Sequence, residues 1–156
     1  MSSRLFVEVR EKHGLAYSIS SYPKAMADTG AFMVRAGVDN SRLIQALELI
    51  LKELEKITKK DVPAGEFNRA RDYVLGQLLL GLEDTMEHML WMGEGIMSRE
   101  KLRTMKEVVQ DFKKITPADV RRIAREVINP EKFNLALVGP ITEDQGKKIN
   151  TLMGVS

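Results

Sequence analysis

Ser2-Ser3-Arg4-Leu5-Phe6-Val7-Glu8-Val9-Arg10-Glu11-Lys12-His13-Gly14-Leu15-Ala16-Tyr17-Ser18 is the stretch on which the reading of this chain turns. Leu5, Phe6 and Val9 recur at helical spacing, and a basic last turn runs into Gly14, a helix-stop residue, so the pattern predicts a short helix over Ser3 to His13. From Leu15 the run Ala-Tyr-Ser-Ile-Ser-Ser-Tyr alternates as a strand does. The segment therefore reads as a basic amphipathic helix that turns through glycine into a strand. Nothing in that spacing alone specifies a reaction.

Outward from this segment, Asp28-Thr29-Gly30 offers turn chemistry and Ala31 to Val38 is a second apolar strand, which predicts an antiparallel hairpin over residues 15 to 38. Asp39 or Ser41 can cap the next helix, where Leu43, Leu47, Ile50, Leu54 and Ile57 recur in steps of four and three. Leu49 and Leu51 widen that stripe, and Glu48, Lys52, Glu53, Glu55 and Lys56 are assigned to the solvent side. After a polar break from Thr58 to Gly65, a helical pattern restarts at Phe67, Ala70, Val74, Gln77 and Leu78. Gly76 and Gly81 interrupt it, each at a cost of about 1 kcal/mol relative to alanine, and read as close packing or a bend. Met86, Met89, Leu90, Gly93 and Met97 continue the spacing, giving a long or kinked helix pair. Leu102, Met105, Val109 and Phe112 mark a further amphipathic segment. Thr116-Pro117-Ala118-Asp119 then starts a helix with Val120, Ile123, Ala124 and Val127 on its buried face, ended by Asn129-Pro130. Phe133 to Val138 reads as a third strand, and the tail from Thr142 as a short helix with weak packing residues. Three strands and about five helices make an α+β pattern, with an antiparallel-rich sheet and helices packed on one face. A sheet that narrow leaves the apolar helix faces in need of a broader sheet or a partner.

Composition narrows the function classes. A chain of 156 residues is about one domain long. Its 24 Lys plus Arg against 22 Asp plus Glu leave a formal charge of +2, too small and too evenly mixed to indicate a nucleic-acid or polybasic membrane surface. With no cysteine, disulfides, zinc ribbons, iron–sulfur centres and thiol nucleophiles are excluded. No apolar run approaches the roughly 18 to 20 residues of a membrane span, and the expected compartment is the cytoplasm. There are two histidines, His13 and His88, 75 positions apart, so no H-x-x-E-H or H-E-x-x-H zinc motif is present. Asp84 and His88 stand four apart with Glu87 beside them, a pair too sparse to constitute a metal site. No G-x-S-x-G is present, and neither Gly93-Glu94-Gly95 nor Gly37 leads into a phosphate-cradle pattern.

The opening segment, S-S-R-L-F-x-E-V-R-E-K-x-G-L-A-Y-S, closely resembles the signature of the non-zinc half of the insulinase, pitrilysin and processing-peptidase superfamily of zinc metallopeptidases. The resemblance continues through Asp28-Thr29-Gly30-Ala31-Phe32, the helix to Ile57, Phe67-Asn68-Arg69-Ala70-Arg71, Leu78-Leu79-Leu80, Thr116-Pro117-Ala118-Asp119-Val120 and Leu135-Ala136-Leu137-Val138-Gly139-Pro140. It covers residues 2 to 140, which implies a partial second peptidase domain over 1–140, with 141–156 as its tail or short last helix. In that superfamily two similar α+β halves close like a clamshell around a peptide, and zinc is carried by an inverted H-x-x-E-H helix in the other half. The resemblance thus implies a peptide substrate and a zinc-carrying partner half, on the same parent chain or a separate subunit. It implies no cofactor or metal held by this chain, and no activity of the chain alone.

The resemblance also implies roles for Arg10 and Tyr17: both reach toward the bound peptide, the tyrosine phenol hydrogen-bonding the scissile carbonyl oxygen as charge develops. A fixed O–H donor and a guanidinium suit that task in a water-poor chamber. Without the resemblance, Arg10 is a surface arginine and Tyr17 a tyrosine packed at a strand start. His13 departs from the pattern and receives no role. The superfamily half opens with strands and a helix before S-S-R-L-F, whereas Met1 stands directly before it here, so the chain is expected to lack its first strands. An open sheet edge of that kind favours a homodimer or strand-exchanged assembly. The alternative is a non-catalytic structural or scaffold domain of the same fold.

Overall fold

Leu5 and Val9 of the first helix converge with Leu15, Ala16 and Ile19 of the first strand and Ala46 of a long helix, and this buried group anchors the N-terminal half. The structure, a computed structural model, describes residues 3–26, 28–97 and 103–154. Met1–Lys60 with Arg121–Ser156 form one compact unit and Asp61–Val120 another.

In the first unit the opening helix, Phe6–Lys12, is a π-helix rather than an α-helix. The apolar spacing of Leu5 and Val9 still buries one face, and Val9 is fully enclosed. Gly14 ends the helix in the left-handed conformation at φ +60°, its N–H donating to Arg10 O at 3.1 Å while Leu15 N–H donates to Val9 O at 2.9 Å. The chain then enters β1 (Ala16–Ala25), which pairs antiparallel with β2 (Gly30–Val38). Met26 N–H to Thr29 O, 2.8 Å, helps close the turn. Val34, Ala36 and Val38, alternate residues of β2, pack with Phe6, Leu49 and Ile50 against the buried group, so the opening helix and α1 (Leu43–Lys59) cover one face of the hairpin.

Asp39 Oδ1 accepts from Ser41 N–H at 2.9 Å and starts the single 3-10 turn, Asn40–Arg42, that leads into α1. The apolar stripe of α1 lies where its period places it, with Leu43, Ala46, Leu47 and Leu54 buried. Glu53 departs from the expected solvent side and is only 3% exposed. It lies seven residues after Ala46, two helical turns on and on the same face. Lys56 bonds its carboxylate, which supplies the partner a buried charge requires. The last helix of the unit, α6 (Glu143–Met153), packs better than its sequence suggested: Ile149 joins Leu43 and Leu47 in a second buried group, with Leu137, Leu152 and Met153 against it. Thr142 and Gln145 cap it reciprocally, and Gln145 Nε2 donates to Asn40 O at 2.8 Å.

Phe133–Val138 corrects the expectation of a third strand. Among the described residues the sheet has only β1 and β2, and this segment pairs with neither. Leu137 contributes to packing, but Val138 is fully exposed. The α+β class and the hairpin stand.

The second unit holds α2 (Ala64–Gly81), α3 (Thr85–Met97), α4 (Met105–Lys114) and the start of α5 (Pro117–Val127). The expected long helix pair is two helices, separated at Leu82 to Asp84. A Cβ at Gly76 or Gly81 would meet nothing within 4 Å, so close packing does not explain either glycine. Asp84 Oδ1 accepts from Met86 N–H at 2.8 Å and Glu87 N–H at 3.1 Å, which caps α3. Thr104 with Glu107 and Thr116 with Asp119 cap the two helices that follow. Leu102 of the expected amphipathic segment and Ser98 at the expected end of α3 lie outside the described residues.

Candidate functional site

Tyr17 occupies a break in the β ladder. Ala16 pairs with Val38 and Ser18 with Gly37, so two steps along β1 match one along β2 and Tyr17 is the extra residue of a β-bulge. The burial pattern records the same event: Ala16 and Ile19 are buried, while Tyr17 and Ser18 between them both face solvent. A bulge re-aims a side chain that strict alternation would direct elsewhere. The result is a tyrosine 87% exposed, held by a backbone that is itself anchored in the core. It is not packed at the strand start.

Gly37 permits this geometry. A Cβ at that position would lie 3.0 Å from Ser18 Oγ, so the residue opposite the bulge has little room for a side chain. Tyr17 also lines an open cavity of about 430 Å³ together with Gly14, Leu15, Ala16, Asp39, Ser41 and Arg42. Arg42 Nη1 donates to Gly14 O at 3.0 Å across 28 residues of sequence. The Asp39 carboxylate is held below the ordinary aspartate range by its hydrogen bonds from the Ser41 hydroxyl and backbone, with a further contribution from the Arg42 charge.

Arg10 is placed differently. It lies on the opening helix, exposed, with its guanidinium 4.9 Å from the centroid of the Phe6 ring, and it is not among the residues lining the Tyr17 cavity. Its main chain does connect the two, since Arg10 O receives the Gly14 N–H. His13 Nδ1 donates to Glu8 O at 2.7 Å and so helps tie off the helix end. Lys12 bonds Glu8 at 2.6 Å and holds that carboxyl below its ordinary value. Gly37 and Arg42 were not legible as site residues: neither bulge register nor a 28-residue tether leaves a local pattern in sequence.

The described residues do not fit a zinc ion. Among the described residues no three His, Asp or Glu side chains come together to hold a metal. Asp84 is engaged as a helix cap, and the His88 ring stands 5.9 Å from that of Trp91.

Residues 1–74, which include the whole Tyr17 constellation, match the family model described as the peptidase M16 inactive domain. Over 150 residues, 96% of the chain, it is 35% identical to a protein of Streptomyces coelicolor named as an uncharacterized zinc protease. Over its first half the chain is similar to the peptidase M16 inactive domain. A similarly named zinc protease of Bacillus subtilis is 31% identical over 90% of the chain. The chain spans about a third of the length of these relatives, 32% and 34% respectively. Its fold is shared with a chain in the structure of complex III2 from Candida albicans with Inz-5 bound, at a TM-score of 0.71 and 20% identity, over 81% of this chain and 30% of that one. No helix among the described residues is long and apolar enough to cross a membrane.

Proposed function

We propose that this chain, a partial second domain over residues 1–140 with its tail, is the substrate-contacting, non-zinc half of a zinc-dependent metalloendopeptidase. The observation that carries the reading is Tyr17, turned outward on a bulge beside an open cavity within the family-matched residues. In this reading the halves close around a peptide, and zinc with its bound water belongs to the other half. The Tyr17 phenol donates a hydrogen bond to the scissile carbonyl oxygen. That bond strengthens as negative charge builds there, so it stabilises the transition state more than the bound substrate. The bulge turns the phenol outward before substrate arrives. Arg10, on the adjoining helix, holds carbonyl oxygens of the peptide. The chain alone is inactive and cytoplasmic, and it pairs with a second copy through an open edge of its two-stranded sheet.

The test is Tyr17→Phe in the chain paired with its zinc half. A turnover reduced by a factor of about 10² with KM unchanged is the expected result, the size of losing one oxyanion donor. Arg10→Ala raises KM instead. Unchanged turnover in Tyr17→Phe removes the phenol from the mechanism and favours a second reading, a scaffold domain. That alternative draws on the description of the matched model as an inactive domain and on the shared fold within complex III2.

A further inference from the structure

We infer that Arg42 is a positioning residue for Tyr17, tethering the turn that enters the bulge. The inference rests on the reading of Tyr17 as the transition-state donor. Tyr17 stands in a stretch with few restraints of its own: it is the unpaired residue of the ladder, and the phenol is exposed. Downstream, the Ser18↔Gly37 pair holds the chain. Upstream, the Ala16↔Val38 pair and Gly14 define where the bulge begins. Gly14 is the weak point, since a left-handed glycine has access to a wide range of backbone conformations.

Arg42 removes that freedom. Its guanidinium donates to Gly14 O at 3.0 Å, and it is presented from the segment that leaves β2 just past Val38, the residue paired with Ala16. The presenting turn is itself fixed. Asp39 accepts from both the Ser41 N–H and the Ser41 hydroxyl, and Arg42 N–H donates to Asp39 O at 2.9 Å. The path from β2 through Asp39, Ser41 and Arg42 back to Gly14 therefore closes a loop around the bulge, and Asp39, Ser41, Arg42 and Gly14 line the same open cavity as Tyr17. A guanidinium suits the task because it remains charged at every working pH and has several N–H groups in a fixed plane.

Three variants of the chain, paired with its zinc half, test this. Arg42→Met keeps the apolar stem and deletes the donor; turnover should fall about tenfold, the scale of a hydrogen bond from a charged donor, with KM unchanged. Arg42→Lys should recover most of the loss, because an ammonium reaches the same carbonyl. Arg42→Met placed on Tyr17→Phe should cause no further fall, because a misplaced phenol and an absent one are equivalent. Amide hydrogen exchange in Arg42→Met should quicken at residues 14–18 and stay unchanged in α1, which separates local release from misfolding. A KM effect with turnover intact overturns the inference in favour of direct substrate contact by Arg42, and so does full additivity with Tyr17→Phe. Unchanged exchange at 14–18 overturns it irrespective of kinetics. A silent Tyr17→Phe with quickened exchange refutes the catalytic reading instead and leaves the tether standing.

Discussion

Ser18 and Gly37 face each other across the bulge, and their contact makes a signed prediction at the scale of one residue. Gly37 does not have a positive φ, so alanine is strained there only by the 3.0 Å approach to Ser18 Oγ. Gly37→Ala should therefore destabilise by about 1 kcal/mol, within the range for overpacking. In a Ser18→Ala background the same change should be neutral or slightly stabilising, because alanine lowers the entropy of the unfolded chain; a double-mutant cycle in urea measures the difference. Gly14 behaves oppositely. Space is adequate, with Arg42 Nη1 at 3.7 Å from the added Cβ, but φ is +60°, so Gly14→Ala loses about 1 to 2 kcal/mol through backbone strain. Asp39 adds a pH dependence. Its folded pKa lies below the unfolded value of about 3.9, so its contribution is fully present above that value and is lost as pH falls through the folded pKa. Thermal melts of Asp39→Asn should accordingly be less steep with pH on the acid side than those of the parent.

At the scale of elements, sequence and structure agree where geometry is local and part where it depends on a neighbour. The stripe of α1 was legible because a 3.6-residue period repeats over 17 residues, and Leu43, Leu47 and Leu54 lie buried as it required. Leu47→Ala should remove about 2 to 5 kcal/mol by opening a cavity between the hairpin side and α6, whereas Glu48→Ala on the exposed side should stay within about 0.5 kcal/mol. Glu53 reads as solvent-facing from its charge, but its angular place on the helix is that of Ala46, and both are buried. Glu53→Ala should separate the two considerations, since it strands Lys56 less than it empties a buried site. The opening helix was legible as a helix, but seven residues are too few for the wider π period to differ visibly from 3.6. Phe133–Val138 has strand composition and no ladder, because pairing belongs to two segments and the sequence of one does not contain it. The same holds for Tyr17: the residue was named by family resemblance, while the bulge that turns it outward exists only once β2 is in register.

At the scale of the whole molecule, the distribution of donors divides the labour of the proposed peptidase. The sequence has two histidines and no cysteine, and the described residues bring no three metal-ligating side chains together; with zinc assigned to the other half in the proposed division, the folding of this chain should draw no stability from it. Chelation should then affect the two halves unequally. When the chain is paired with its zinc half and treated with a chelator, peptide hydrolysis should cease while the hydrogen-exchange protection of α1 and the buried group around Val9 stays as before. The chain purified alone and dialysed against trace zinc should retain far less than one metal per molecule, measured by atomic emission, and its thermal melt should not shift with added zinc. Stoichiometric retention would mean that His13 or His88 joins nearby carboxylates in a site the fold does not display, and the metal would then have to be assigned to this half. A melt that rises with zinc concentration would carry the same message through linkage, because only a ligand that prefers the folded state can raise it.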